Sequence, residues 1–126
     1  MKILAIDFDG TITVRSRFPE IGEPRIEFIE WLKSQQEEGA KLVLWTCRTG
    51  QLLDEAVKFC ESFKLRFDAV NDNLPEIKEQ FGENPRKVFA HVYIDDASVV
   101  PWEIVEPKPK PKAEPKIQRR KAKIVR

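Results

Sequence analysis

The chain has 126 residues, of which 41% are hydrophobic and 34% are charged. This size suits one globular domain with its own core and excludes a second domain of ordinary size. The net charge of +1 hides an uneven distribution, because nine Lys or Arg and one acid follow residue 106. Taking this +8 from the total leaves −7 for residues 1–106. An acidic body is typical of carboxylate-rich metal sites, but also of an ordinary soluble surface.

The first apolar run, residues 3–6, is interrupted by Asp7. It is therefore too short for a secretory signal or a membrane span. The two cysteines, Cys47 and Cys60, lack the spacing of paired ligands, which argues against a disulfide framework and a zinc site. We expect reduced thiols, a cytoplasmic location and no membrane partner.

In chain order, short apolar runs predict four strands at residues 2–6, 41–46, 67–70 and 88–94, with a further strand near 102–105. A helical pattern opens at Gly22-Glu23-Pro24 and closes at Gly39, a second follows Gly50, and a helical turn is predicted at 75–81. This alternation predicts an α/β, Rossmann-like fold with a mainly parallel sheet and helices on both faces.

The predicted domain covers residues 1–106. Residues 107–126 begin with alternating proline and lysine and continue as a basic run. Such a segment has too little apolar content to pack, so we expect a disordered or extended basic tail.

Polar residues follow the predicted strands where each strand ends. Asp7 and Asp9 follow the first strand, Thr46 ends the second, and Asp95 and Asp96 follow the fourth. Because the carboxyl ends of parallel strands form the ligand-binding edge of such a sheet, these residues should converge. Taken alone, an Asp-Asp pair after a strand is also typical of a turn or a helix cap.

The two aspartates of the first strand suit phosphoryl transfer. One carboxylate can attack phosphorus while the other gives a proton to the departing oxygen and later takes one from water. Gly10 allows the backbone to turn around a small anion. Since carboxylates and a phosphate dianion repel each other, a divalent cation is required, and oxygen ligands favour Mg²⁺.

The segments DFDGTIT, LVLWTCR and RKVFAHVYIDD, in this order, resemble the motifs of the haloacid dehalogenase superfamily of aspartate-nucleophile phosphatases. The resemblance spans residues 1 to about 106. It implies that Asp7 is the nucleophile and forms an aspartyl-phosphate. It further implies that Asp9 is the general acid and base, with its main-chain carbonyl on magnesium. An aspartate at this second position favours phosphate monoesters over halides.

The resemblance also gives roles to residues of the later motifs. Thr46 would hydrogen-bond a phosphate oxygen. Lys87 is the best match to the lysine that neutralises nucleophile and phosphate, with Lys78 as its competitor. Asp96 matches the direct metal ligand and Asp95 a supporting one, and the sequence does not decide between them.

The residues next to these complete the predicted substrate-binding set, which comprises Phe8, Gly10, Thr11, Cys47 and Arg48. Arg48 has two interpretations, a second cation for phosphate or an exposed loop arginine. Cys47 is a packing residue rather than a nucleophile, and the single His91 is predicted to occupy an ordinary position in a strand.

Only 39 positions separate Asp7 from Thr46, and 49 separate Thr46 from Asp95. This leaves no segment for a cap domain and predicts an open site, which suits bulky or macromolecular phosphoesters. The alternative function is a catalytically inactive module that binds nucleic acid or another polyanion through its basic tail. If the chain is instead an active phosphatase, its basic tail is still expected to bind nucleic acid weakly.

Overall fold

The computed structural model describes residues 1–105. Strands and helices alternate along this part of the chain: β1 Ile3–Ile6, α1 Ile26–Glu37, β2 Lys41–Leu44, α2 Gly50–Glu61, β3 Ala69–Val70, α3 Pro75–Phe81, β4 Val92–Ile94 and α4 Pro101–Val105. The predicted α/β fold is confirmed. The predicted disordered tail, 107–126, lies outside the described residues.

The four strands form one parallel sheet in the order β3-β2-β1-β4. The chain first moves outward from β1 through β2 to β3, and then returns to place β4 on the opposite side of β1. The strand order therefore reverses between β1 and β4, which is where parallel sheets bind ligands.

Both faces of the sheet are covered, as predicted. Because side chains alternate along a strand, Leu4 and Ile6 of β1 point to one face, and Ile3 and Ala5 to the other. The first face packs against the buried residues of α1 and α2: Ile29, Leu32, Ala56 and Cys60. The second packs against Leu74 and Ile77, from the start of α3 and its interior.

The fourth strand is shorter than predicted, because side chains form hydrogen bonds with the backbone N–H and C=O groups of the residues before Val92. The Tyr93 hydroxyl donates to the carbonyl of Val88 at 2.7 Å and accepts the N–H of Ala90 at 3.2 Å. The N–H of Phe89 donates to the Asn73 side chain at 2.7 Å. These groups are thus withdrawn from pairing with β1, and residues 88–91 pack as a loop.

His91 precedes β4 rather than lying within it. Its N–H donates to the Ile3 carbonyl at 2.9 Å, and its Nδ1 accepts the Ile3 N–H at 2.9 Å. The side chain therefore extends the hydrogen bonding at the start of β1.

The predicted last strand is wrong, because residues 101–105 form α4. Pro101 occupies its first position, where the fixed φ of proline favours a helix. The other helices lie close to their predicted positions, and α3 matches its predicted range of 75–81.

Residues 7–25 join β1 to α1 as a loop that an antiparallel bridge between Thr13 and Pro24 closes. No helix or strand is inserted in this segment. The described residues thus contain no cap domain. None of their helices combines the length and apolar character needed to cross a membrane.

Candidate active site

Three carboxylates meet at the point where the strand order reverses. Asp7 follows β1, and Asp95 and Asp96 follow the neighbouring β4. The N–H of Asp7 donates to the Ile94 carbonyl at 3.0 Å, which continues the pairing of the two strands to the site. One carboxylate oxygen from each aspartate lies within 4.8 Å of the other two. Of the residues predicted to converge, Asp7, Asp95 and Asp96 are therefore brought together, whereas Asp9 pairs with Arg48.

The pKa values of the cluster reflect burial and the negative charge that its carboxylates share. Burial, followed by the negative charge of Asp95, raises the pKa of Asp7 to about 6. Burial also opposes ionisation of Asp96, but the hydrogen bond and charge of Arg15 outweigh it and lower the pKa of Asp96. Arg15 is exposed and its Nη2 lies 2.6 Å from Asp96 Oδ2. An added cation would relieve the repulsion at Asp7.

Thr11 connects the loop after β1 to the aspartates after β4. Its hydroxyl donates to Asp7 Oδ2 at 3.2 Å and accepts the N–H of Asp96 at 3.1 Å. Thr11 was predicted to bind substrate, but the structure shows its buried hydroxyl engaged with the site itself.

Gly10 is required for this close approach. It has a φ of +87°, and a Cβ built on it would lie 2.6 Å from Asp96 Oδ2. A side chain here would displace a carboxylate of the cluster.

Arg48 is fully buried and paired with Asp9. Its Nε donates to Asp9 Oδ2 at 2.9 Å and its Nη2 to Asp9 Oδ1 at 2.8 Å. The guanidinium also lies against the rings of Phe8 and Phe18, at 5.2 and 5.1 Å from their centroids. Both interpretations from the sequence are corrected, because a guanidinium with no exposed surface is neither an exposed arginine nor accessible to phosphate.

The Phe8 side chain does not reach the site either. It is buried in the core and its ring lies edge-on to that of Phe59, with centroids 5.9 Å apart. Its predicted role in binding substrate is therefore corrected for the side chain, which packs in the core and against the Arg48 guanidinium. Cys47 was predicted to be a packing residue, and this is wrong, because it is an exposed free thiol in the loop after β2.

The loop after β2 is held by a residue that the sequence reasoning missed. Asn71, which follows β3, accepts the Thr46 N–H at 2.8 Å and donates to the Arg48 carbonyl at 3.2 Å. The Thr46 hydroxyl oxygen accepts the Arg48 N–H at 3.2 Å. The strand-end rule that identified Thr46 applies equally to Asn71 and would have found it.

A solved structure of a conserved protein from Bacteroides thetaiotaomicron is similar to this chain. It has a TM-score of 0.69 and 40% sequence identity, over 86% of this chain and 93% of that one. The chain belongs to the same family as this protein. The Bacteroides relative is described only as conserved, so the family relationship brings no activity with it. No protein-family model and no curated protein matches the chain.

A cavity of about 390 Å³ lies beside the carboxylate cluster of this chain. Asp7, Asp95 and Lys87 line it together with Trp45 and Tyr93. Lys87 Nζ lies 4.9 Å from the centre of the Tyr93 ring. Lys78, the competing candidate, instead pairs with Asp72 at 2.7 Å. Lys87 is thus the lysine of this cavity.

The arrangement brings three carboxylates and a lysine together at one open surface. Asp95 and Asp96 are both exposed to solvent. A larger cavity of about 430 Å³ lies elsewhere, beside the carboxyl-terminal end of α1, and contains none of the predicted site residues. Of the two cavities, the smaller one is therefore the one that adjoins the carboxylate cluster.

Proposed function

We propose that this chain is a capless, haloacid dehalogenase-like phosphatase that hydrolyses a phosphate monoester through an aspartyl-phosphate on Asp7. The observation that carries the proposal is the convergence of Asp7, Asp95 and Asp96 where the strand order reverses, with Lys87 lining the same cavity. This set of side chains combines a carboxylate nucleophile with groups that could hold and neutralise a phosphate.

The residues present fit Mg²⁺. The three carboxylates offer hard oxygen donors within 4.8 Å of one another, and the raised pKa of Asp7 reflects burial and uncompensated negative charge. Asp7, Asp95 and Asp96 would hold the ion, with the Asp9 main-chain carbonyl that the resemblance implies. When bound, the cation supplies the positive charge that lets a phosphate dianion approach these carboxylates.

In the proposed first step, a carboxylate oxygen of Asp7 attacks phosphorus and the bond from phosphorus to the ester oxygen breaks. Protonated Asp9 gives its proton to the departing oxygen. In the second step, the Asp9 carboxylate takes a proton from water, whose oxygen attacks phosphorus. The bond between phosphorus and Asp7 then breaks, which releases phosphate and restores the Asp7 carboxylate.

Lys87 and Thr46 would hold the phosphoryl oxygens. Lys87 supplies a positive charge to the cavity that contains Asp7. Because the Thr46 hydroxyl oxygen accepts the Arg48 N–H, the proton of this hydroxyl is left to donate to a phosphate oxygen.

The substrate proposal follows from the open site. No domain is inserted over the cluster within residues 1–105, so we propose a bulky or macromolecular phosphoester as substrate. Residues 107–126 carry nine basic side chains, which would attract a nucleic acid weakly through release of its counterions. We propose a cytoplasmic location, supported by the free thiols of Cys47 and Cys60.

The proposal is tested by phosphate release from p-nitrophenyl phosphate and from DNA with a terminal phosphate, with and without Mg²⁺. We expect metal-dependent release that Asp7→Asn reduces by about 10³-fold or more, because the nucleophile is lost. The matched control is Asp54→Asn, at an exposed carboxylate of α2, which should retain wild-type rates. An inactive wild-type protein, or an Asp7→Asn variant with wild-type turnover, would contradict the proposal.

A further inference from the structure

Arg48 forms a bidentate ion pair with the Asp9 carboxylate. Its Nε and Nη2 reach the two carboxylate oxygens of Asp9 at 2.9 and 2.8 Å. This forked geometry fixes the orientation of a carboxylate as well as its position. The Asp9 side chain is 29% exposed while that of Arg48 is 0% exposed. Arg48 is therefore buried in the protein, whereas the Asp9 carboxylate is partly accessible from solvent.

The guanidinium is itself held by several segments of the chain. Its remaining donor contacts go to the carbonyls of Pro19 at 3.0 Å, Glu20 at 3.4 Å and Leu52 at 3.4 Å. A buried guanidinium is costly unless its charge and donors are matched. Moving the Arg48 guanidinium would break these contacts. Asp9 is therefore paired with a group whose position is fixed.

The main chain of Arg48 is fixed as well. Asn71 bridges the Thr46 N–H and the Arg48 carbonyl, and the Arg48 N–H donates to the Thr46 hydroxyl. The turn that carries Arg48 is therefore attached to the ends of β2 and β3. Arg48 thus connects the loop after β1, which holds Asp9, to the loop after β2, which holds Thr46.

We infer that Arg48 is a positioning residue that holds the Asp9 carboxylate for proton transfer. This inference rests on the proposed function. Each carboxylate oxygen has two lone-pair sites, and Arg48 occupies one on each. The other sites remain for the departing oxygen or the attacking water. Arg48 acts through Asp9 and does not touch the substrate.

The test compares two substrates that differ in their need for a proton. Nitrophenolate departs readily without one, whereas the alkoxide of an alkyl phosphate requires it. We expect Arg48→Lys, which loses the forked pairing, to reduce kcat/KM, which reports the step in which the leaving group departs, about tenfold more on an alkyl phosphate than on p-nitrophenyl phosphate. The inhibition constant for inorganic phosphate should stay near its wild-type value. Asp9→Asn should give the same pattern with a larger difference.

The control is Lys33→Met, at a residue that lines the other cavity. It removes an ion pair with Glu30 and a hydrogen bond to the Phe63 carbonyl. The rates on both substrates should be unaffected. Equal losses of kcat/KM on the two substrates after Arg48→Lys would overturn the positioning role, since a general loss of structure has no preference for the leaving group. A rise in the inhibition constant for phosphate would overturn it in favour of direct phosphate binding.

If Arg48→Lys fails to fold by circular dichroism, Phe18→Ala replaces it. Phe18 is exposed and its ring covers the Arg48 guanidinium, so its removal should loosen Arg48 and give a smaller effect of the same kind. Equal rates or equal losses on both substrates with this variant would overturn the inference. A wild-type protein inactive on both substrates would instead remove the proposed function, and the inference with it.

Discussion

At the residue scale, the ionised carboxylate of Asp7 destabilises the folded chain when no cation is bound beside it. Its pKa in the folded chain is about 6, against an ordinary value of 3.8, because of burial and the nearby Asp95 charge. The folded protein therefore binds this proton more tightly than the unfolded chain does. The resulting stabilisation is fully present below about pH 3.8 and is lost as the pH rises through about 6.

Asp7→Asn should consequently stabilise the metal-free protein at neutral pH. We expect its Tm in a chelator at about pH 7.5 to exceed that of the wild type by roughly 4–8 °C, if about 1 kcal/mol remains after solvent screening. The difference should shrink as the pH falls below about 6 and disappear only well below pH 3.8, where Asp7 is protonated in both states. Thermal unfolding across pH measures this. A difference in Tm that does not change with pH would contradict the assignment.

The carboxylates of the candidate site and Lys87 could be identified from sequence because each lies at or near the start or end of an apolar run. The same reasoning could not find the burial of Arg48. Arginine is rarely fully buried unless paired, and its partner Asp9 lies 39 positions away. Such pairing depends on how the loops after β1 and β2 pack together, which local patterns do not contain.

At the scale of elements, local signals located α1, α2 and α3 well, but they missed α4 and placed the strand ends poorly. Pro75 and Gly82 bound α3, and both have the backbone that a helix start and end require. Strand ends are set instead by which groups complete the hydrogen bonds. Tyr93 and Asn73 withdraw the backbone of residues 88–90 from the sheet, and an apolar pattern cannot reveal this.

The packing of α1 against the sheet can be tested within one helix. Leu32 is fully buried in the core, whereas Ile26 is 48% exposed. We expect Leu32→Ala to lower the free energy of unfolding by about 2–5 kcal/mol, because it leaves a cavity. Ile26→Ala should lower it by less than about 1 kcal/mol. Urea unfolding of the two variants measures the difference. Equal losses would mean that α1 does not pack as described.

At the scale of the whole molecule, the strand order determines where the candidate site lies. Placing β4 beside β1 brings Asp95 and Asp96 to Asp7, although they are 88 and 89 positions apart in sequence. Sequence alone predicted that the strand ends would converge because the fold class requires it. It could not give the order of the strands, which depends on crossovers that local periodicity does not encode.

The nucleophilic role of Asp7 is tested most directly by trapping phosphate on it. Asp9→Asn should slow the attack of water and allow the intermediate to accumulate. After mixing this variant with p-nitrophenyl phosphate and Mg²⁺ and quenching in acid, mass spectrometry should find one phosphoryl group on the peptide containing Asp7. Hydroxylamine should remove it, and the double variant Asp7→Asn, Asp9→Asn should not form it. Turnover with phosphate on another residue, or with none on Asp7, would contradict the proposed mechanism.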